Sequence, residues 1–390
     1  MIRSLRLFHF RNFTEQTTEF DRHANFFIGL NGQGKTNLLE AIDLLFTTES
    51  FRRAPVEHLV QAGESESLVQ AQLDGFHQVG AIGTSADQVG AVGTSAVDHQ
   101  VRLLIKEGRK SFSVDGKKVV RKQLLTLQPL VLFSPESLDA IKGTAEMRRQ
   151  LVDELALFAR PTQEWILNDY RKILRTRNQL LRNRKLGHTS EMQTQALLSS
   201  LEDRFLNLGT QLTLLRLQVL HELEQPVNAA LASLGSSFPE VNFAYILSQS
   251  NAIHFSHTEI HNSMRDRLLK LRAAELAAGH SLVGPHRHDL VFLFGGKDSR
   301  FYCSQGQQRS LILAFKLAQI VYHRKALGVT PILLLDDVFS ELDGEKRGSF
   351  VEMIKHMNCQ IVITTTDFDL PRVFDSDKCL VRRIQGGRVV

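Results

Sequence analysis

Phe26-Phe27-Ile28-Gly29-Leu30-Asn31-Gly32-Gln33-Gly34-Lys35-Thr36-Asn37-Leu38-Leu39-Glu40-Ala41-Ile42 decides the class of the fold. The apolar run Phe26 to Ile28 reads as a short buried strand and the glycines as a loop. Leu38, Leu39, Ile42, Leu45 and Phe46 form the inward stripe of a helix. Within this frame Gly29 to Thr36 fits the spacing G-x-x-x-x-G-K-[ST] of a P-loop. Gly32 and Gly34 let backbone N–H groups turn toward an anion with no Cβ in the way, and the free N–H groups of the following helix add attraction. Phosphate is the natural ligand. Lys35 is placed to reach β- and γ-oxygens, and Thr36 to offer its hydroxyl to Mg²⁺. The alternative is a glycine-rich turn with a surface lysine; at average residue usage the four fixed positions recur by chance in about one chain of this length in a hundred.

The 390 residues, 43% of them hydrophobic, can bury a large core and suggest two or three domains. A net charge of +5 and a pI near 9.1 lean mildly toward polyanionic partners. No run approaches the roughly 18 apolar residues of a membrane span, and Met1-Ile2-Arg3-Ser4-Leu5-Arg6 lacks the apolar core of a signal peptide. Cys303, Cys359 and Cys379, odd in number and without a C-x-x-C pair, argue against a disulfide scaffold or zinc site. The expected location is the cytoplasm, with no membrane partner.

Residues 2 to 13 read as an opening strand feeding a second one that ends at the P-loop, with Arg11 and Asn12 either lining the site or facing water. Leu68 to Leu73, Val101 to Ile105 and Phe112 to Val114 read as antiparallel strands. Between the first two, residues 78–97 form a tandem decamer, expected as a surface hairpin loop. Pro129 to Phe133 is a further strand, and Pro135-Glu136 opens a helix expected to run through Arg148-Arg149 toward Phe158. From Arg160 to Leu276 long helical patterns dominate, with Pro161, Pro226 and Pro239 as breaks. There Ile166, Tyr170, Ile173, Leu174 and Leu181 recur at helical spacing beside Arg171, Lys172, Arg175, Arg177, Arg182, Arg184 and Lys185. No acid intervenes between Asp169 and Glu191. The block is either a phosphate-contacting face or a solvated helix face. His286 and His288 invite a metal reading, but no third ligand stands nearby, so turn histidines are expected.

Ser304-Gln305-Gly306-Gln307 precedes a helix with Leu311, Phe315, Leu317 and Ile320 inward. Pro331 to Asp337 reads as a buried strand ending in two carboxylates, the form of a Walker B, followed by Ser340-Glu341-Leu342-Asp343. A last strand, Ile361 to Ile363, leads to Thr364-Thr365-Thr366-Asp367. A P-loop, a helix-capping S-x-G-Q and a Walker B in this order point to an ABC-type ATPase head.

On these motifs, with Phe10-Arg11-Asn12, Ser134-Pro135-Glu136 and Gly284-Pro285-His286-Arg287-His288-Asp289-Leu290, the chain resembles the RecF family over essentially its whole length. That family is the DNA-repair branch of the group that includes SMC and Rad50 proteins. Thr144-Ala145 departs from the Gly-Pro-like pair usual there, and the decamer repeat has no counterpart. The resemblance implies an α/β fold: an ABC-type, SMC/Rad50-like P-loop ATPase head (1–155 and 277–390) with an inserted α-helical arm (156–276). It implies ATP bound with Mg²⁺ by Gly29, Leu30, Asn31, Gly32, Gln33, Gly34, Lys35 and Thr36, with Thr36 and Asp336 on the metal. Ser304, Gln305, Gly306 and Gln307 would close the site in trans in an ATP-dependent homodimer. Lys35, Asp336 and Asp337 would carry the catalysis.

The resemblance further implies DNA, single- or double-stranded at gaps and junctions, as a partner, with RecR and RecO, in replication, recombinational repair and the SOS response. Arg171, Lys172 and Arg175 are the candidate DNA contacts. Any hydrolysis is expected to be slow, because Asp337 stands where most ABC ATPases carry glutamate and Thr366 where they carry a switch histidine. A transporter ATPase subunit shares the motifs but has no use for a basic arm. A Rad50-like nuclease partner calls for long heptads and a C-x-x-C hook that the chain lacks.

Overall fold

The computed structural model describes residues 1–76, 97–235, 238–342, 344–369, 371, 374 and 379–390. The decamer repeat, apart from Val97, and Asp343 lie outside the described residues.

The chain opens with β1 (Ile2–Phe10), β2 (Phe13–Glu19) and β3 (Ala24–Ile28). Two strands are expected here and three form, because Arg11 takes a left-handed φ of 55° and folds β1 back on β2 as a hairpin. Next come α1 (Lys35–Thr47), β4 (Glu66–Phe76), β5 (Val97–Lys106), β6 (Arg109–Val114), β7 (Lys117–Lys118), α2 (Arg121–Leu127) and β8 (Leu130–Phe133). An antiparallel sheet of order β2-β1-β4-β5-β6-β7 results. Val69, Ala71 and Leu73 on β4, and Val101, Leu103 and Ile105 on β5, alternate inward as expected of a sheet with one wet face.

Beyond Phe133 the single expected helix breaks into a 3₁₀ turn (Pro135–Leu138), α3 (Asp139–Lys142) and α4 (Ala145–Ala159). The divergent Thr144 caps α4, its hydroxyl accepting from Met147 N at 3.4 Å. Then follow α5 (Glu164–Lys185), α6 (Glu191–Leu234), β9 (Val241–Leu247), β10 (Ser250–Asn251), α7 (His257–Ala278), β11 (Asp289–Phe294), β12 (Lys297–Asp298), α8 (Ser299–Tyr302) and α9 (Gln305–Leu327). Two expectations fail here. Pro226 lies inside α6 and does not break it: the lost N–H forfeits one bond, while buried Leu223, Val227, Ala230 and Leu231 hold the flanking turns. The helical stretch 156–276 also contains β9, whose Val241, Phe243, Tyr245 and Leu247 are buried in alternation as it pairs antiparallel with β11.

The last elements are β13 (Ile332–Asp336), α10 (Gly344–Lys355), β14 (Ile361–Thr365), β15 (Cys379–Gln385) and β16 (Arg388–Val389). They build a second sheet of order β16-β15-β3-β14-β13-β8, parallel except for β16. Every residue of β3, β13 and β14 is buried, as in strands covered on both faces. Helix α1 touches both sheets and is buried nearly all round. Leu38, Leu39, Ile42, Leu45 and Phe46 are at most 1% exposed, and Glu40 and Asp43 are buried with them. The shared direction of β3, β13 and β14 brings Gly29, Asp337 and Thr365 to one sheet edge, with Gly29 N bonded to Thr365 O and Asp337 N to Thr364 O.

By contacts the chain divides into two compact units, 1–137 with 233–236 and 319–390, and 138–232 with 237–318. These bounds differ from the expected head and arm: α4, β11, β12 and the start of α9 group with the helices, because β9 pairs with β11.

Candidate nucleotide-binding site

Gly34 caps the N-terminus of α1 at φ 114°, and Gly32 sits at φ 79°, conformations that a side chain would strain. Gly29 has a different reason: a Cβ there would stand 2.4 Å from Ile384 O on β15. These turns open a cavity of about 450 Å³ lined from the loop by Asn31, Gly32, Gly34, Lys35 and Thr36. Asp336 and Asp337 face it from the end of β13. Gly29, Leu30 and Gln33, expected as part of the phosphate-binding loop, do not line it; Leu30 is 68% exposed, and Gln33 turns toward the C-terminal hairpin.

Lys35 is buried and donates to Gly29 O and to Leu30 O at 3.0 Å. Burial holds its pKa below the ordinary lysine value, opposed by the charges of Asp337 and Asp336. An anion in the loop would offer the ammonium a better partner than two carbonyls. Thr36 Oγ1 donates to Asp336 Oδ1 at 3.1 Å across 300 residues of sequence, and Thr364 Oγ1 donates to the same oxygen at 2.6 Å. Burial pushes the Asp336 carboxyl up; the Thr364 and Thr36 bonds work against this, while Glu136 and Asp337 add to it. Thr36 and Asp336 thus set a hydroxyl and a carboxylate oxygen side by side in the cavity. These two are hard oxygen donors of the kind a divalent cation takes when waters and phosphate oxygens supply its remaining ligands; among the described residues no cluster of three or more acidic, histidine or cysteine side chains could hold a metal alone.

Asp337 adopts a left-handed φ of 50°, and its Oδ1 is buried without a hydrogen-bond partner. An unpaired acceptor in such a backbone is a cost that a binding site sustains and a core rarely does. Asn37, Arg52, Pro135 and Glu136 also line the cavity and were not foreseen. Glu136 had a signal: β8 ends beside β13 in the parallel sheet, so the residues following it reach the same edge. Arg52, donating to Asn37 Oδ1 at 3.0 Å, had none beyond its pairing with Arg53. Arg11 and Asn12 neither line the cavity nor face water. Arg11 forms a two-pronged pair with buried Glu40 at 2.8 and 2.6 Å, and Asn12 lies against the back of the loop.

The second expected segment stands at the start of α9. Ser304 Oγ accepts from Gln307 N at 3.2 Å and Gln307 Oε1 accepts from Ser304 N at 2.9 Å, a capping box. Ser304, Gln305 and Gly306 are exposed, as are Phe301 and Tyr302 just before them. On α5, Arg171, Lys172 and Arg175 are exposed. Arg177 departs from the expected basic face: it turns inward to Glu275 at 3.1 and 2.7 Å and to Ser281 Oγ at 2.8 Å, and Arg184 pairs with Glu191.

Gly284 to Asp289 is a hydrogen-bonded hub in which Gly284, Pro285 and His288 are buried and Arg287 is exposed. Arg216 grips Asp153 at 2.7 and 3.0 Å and donates to Tyr245 Oη and Pro285 O; Tyr245 Oη meets His288 Nδ1 at 3.1 Å. His286 has Tyr170 Oη on Nδ1 at 2.7 Å and Ser281 O on Nε2 at 3.2 Å, so both nitrogens are engaged. Burial lowers its pKa to about 4. Among the described residues no helix is long and apolar enough to cross a membrane.

The model of the RecF/RecN/SMC N-terminal domain family matches residues 1–380. The DNA replication and repair protein RecF of Heliobacterium modesticaldum is 32% identical over 100% of this chain and 98% of its own, and that of Halothermothrix orenii 30% identical over 97% and 96%. A solved structure of the recombination mediator protein RecF-ATP in the RecFOR pathway superposes with a TM-score of 0.82 at 29% identity, covering 100% and 98% of the two chains. An SMC head bound to the C-winged helix domain of ScpA, at 15% identity and a TM-score of 0.55, shares the fold, which is that of an ABC-type ATPase head.

Proposed function

The chain belongs to the RecF family of DNA replication and repair proteins, and from that premise we propose that it is an ATP-gated DNA-binding protein of recombinational repair. One observation carries the reading: Thr36 and Asp336, 300 residues apart, meet at 3.1 Å in a cavity floored by the P-loop. In this reading the loop amides and Lys35 bind the phosphates of ATP, while Thr36 and Asp336 hold Mg²⁺, which neutralises phosphate charge. Asp337, with its free buried oxygen, orients the attacking water. Aspartate is one methylene shorter than glutamate, so turnover is slow.

Ser304, Gln305, Gly306 and Gln307 of a second copy close over the γ-phosphate, which explains an exposed capping box beside exposed aromatics. ATP then dimerises the chain on single- or double-stranded DNA at gaps or junctions, and infrequent hydrolysis releases it. The helical segment 156–276 acts as the arm, with Arg171, Lys172 and Arg175 on DNA phosphates. The partners are RecR and RecO in loading recombinase, and the setting is the cytoplasm.

Sedimentation with and without ATP, with and without gapped DNA, tests the reading. The expected result is a dimer that needs ATP and is strengthened by DNA; a monomer under all four conditions sinks it. A transporter-type ATPase would ignore the DNA.

A further inference from the structure

The back of the P-loop is tied down by a set of hydrogen bonds. Asn12 Nδ2 donates to Gln33 O at 3.0 Å, and the same oxygen accepts from Gly387 N at 3.0 Å. Gln33 Oε1 accepts from Gly386 N at 2.7 Å, and Asn12 Oδ1 accepts from Asn37 Nδ2 at 2.8 Å. At two of the glycines the fit is close. A Cβ on Gly34 would stand 2.7 Å from Asn12 Nδ2, and one on Gly387 would stand 2.1 Å from Asn12 O. The hairpin turn at Gly386 and Gly387, with Asn12, thus forms one interlocked piece behind the loop.

The consequence follows from the planarity of the peptide bond. In a trans peptide the C=O and N–H point in opposite directions. Two donors on Gln33 O fix the plane of the Gln33–Gly34 peptide with its oxygen toward the brace, so the Gly34 N–H points the other way, to the side where Gly34 lines the cavity. With φ at 114° Gly34 is otherwise free to flip this peptide, and a flipped peptide would present an oxygen to an incoming anion.

We propose that Asn12 is a positioning residue for phosphate binding and that it acts, together with the C-terminal Gly386-Gly387 turn, by locking the Gln33–Gly34 peptide with its N–H toward the ligand. The proposal rests on the nucleotide reading of the site. It makes the last dozen residues a working part of the P-loop, although no side chain from them lines the cavity.

The test compares the full chain with Asn12→Asp, Gly387→Ala and the double variant, measuring the Kd for ATP and for ADP and the thermal midpoint without ligand. Asn12→Asp keeps the shape but replaces the donor with an acceptor facing a carbonyl. It should weaken ATP and ADP alike by about tenfold or more, with the ligand-free midpoint within a few degrees of the parent. Because Gly387→Ala displaces the same piece, the double variant should lose no more than the worse single one. A merely structural role would give losses that track the midpoint and add. Gln33→Ala removes only the side-chain link, on a half-exposed loop residue, and carries the test if the Asn12 variant does not fold; it should weaken both nucleotides several-fold. Unchanged affinity in the variants beside a parent that binds overturns the brace alone. A parent that binds neither nucleotide overturns the nucleotide reading, and the brace with it.

Discussion

Two stretches of this chain are rich in polar, chemistry-bearing residues, the P-loop at Gly29 to Thr36 and Gly284 to Asp289 with its two histidines, and they are opposite in kind. Around the second, polar groups find partners inside the protein: Arg216 makes four bonds, His286 uses both nitrogens, and Arg148 holds Asp289 with two prongs. Around the first, Asp337 keeps a buried oxygen unpaired, and Lys35 settles for carbonyls of its own loop. Glu136, Asp336 and Asp337 converge there with Lys35 as the nearby ammonium. Polar groups that satisfy one another stabilise a fold; groups left wanting a partner are what a ligand binds.

The largest effects should separate the two regions cleanly. Lys35→Ala removes a charge-assisted contact to phosphate and should weaken ATP binding by about a hundredfold or more while the thermal midpoint holds. Arg216→Met strands the buried Asp153 carboxylate and should cost about 3–5 kcal/mol of stability, with the Kd for ATP of the folded protein unchanged. Denaturant unfolding and nucleotide titration on both variants decide it. If Lys35→Ala unfolds the protein, or Arg216→Met spares its stability, the contrast breaks.

Acid probes the same contrast more gently. The folded pKa of His286, about 4, lies below the ordinary histidine value near 6.5, so between these values the unfolded chain binds a proton that the native state refuses. Stability should therefore fall as pH drops through that window, by up to about 3 kcal/mol, and be flat above it. The charges of Arg287, Arg149 and Arg177 reinforce the effect of burial. His288, buried still more deeply, acts in the same direction. His286→Phe should flatten the slope by about one proton. At the P-loop the direction of the Asp336 shift is upward, so acid acts there on the ligand: protons compete with Mg²⁺, and Mg²⁺-dependent ATP affinity should decline as pH falls. An acid limb unchanged in His286→Phe would remove that histidine from the account.

Asp337→Asn sharpens the comparison from the side of the site. It keeps the shape of the side chain and its unpaired oxygen but removes the charge, so ATP-dependent dimerisation should persist. Turnover should drop by about tenfold or more, and DNA residence time should lengthen. Parent-like turnover would show that another group orients the water; blocked turnover with unchanged residence would end the release-timer reading.

How much of this was legible in sequence depends on whether a residue announces its partner. The P-loop and the Ile332–Asp336 strand did, because glycine spacing and a carboxylate after an apolar run each imply one geometry, and Thr36 meets Asp336 as that geometry requires. Val241–Leu247 did not, because a seven-residue stretch, apolar but for Asn242 and set between long helical patterns, takes its identity from β11, the strand it pairs with. Pro226 misled because local propensity yields to burial on both sides. Asn12 stood out in the Phe10-Arg11-Asn12 motif but not in its role, since an asparagine after a strand is equally at home in water, and only its contact with Gln33 shows its place.

Helix α5 is where the rule meets its hardest case, and where the smallest effect is expected. Seven cations follow one another with no acid between, and their sequence does not distinguish them. The fold does. Arg177 gives both terminal nitrogens to Glu275 and Ser281 at 3% exposure, with only its Nε left without a partner, so its charge is compensated inside the fold, while Arg171, Lys172 and Arg175 stay at the surface. If an exposed cation with no acidic partner marks function, neutralising those three together should leave stability and ATP affinity unaltered and flatten the salt dependence of DNA binding by up to about three units of slope, one per phosphate contacted. Neutralising Arg177 should do the reverse, destabilising the protein with the slope preserved, because Glu275 would be left buried and unpaired. A salt slope identical to the parent's in the triple variant would make this face solvated surface, and an unpaired charge in water would then be no guide to function at all: the criterion would hold only for groups, like Asp337, whose want of a partner is enforced by burial.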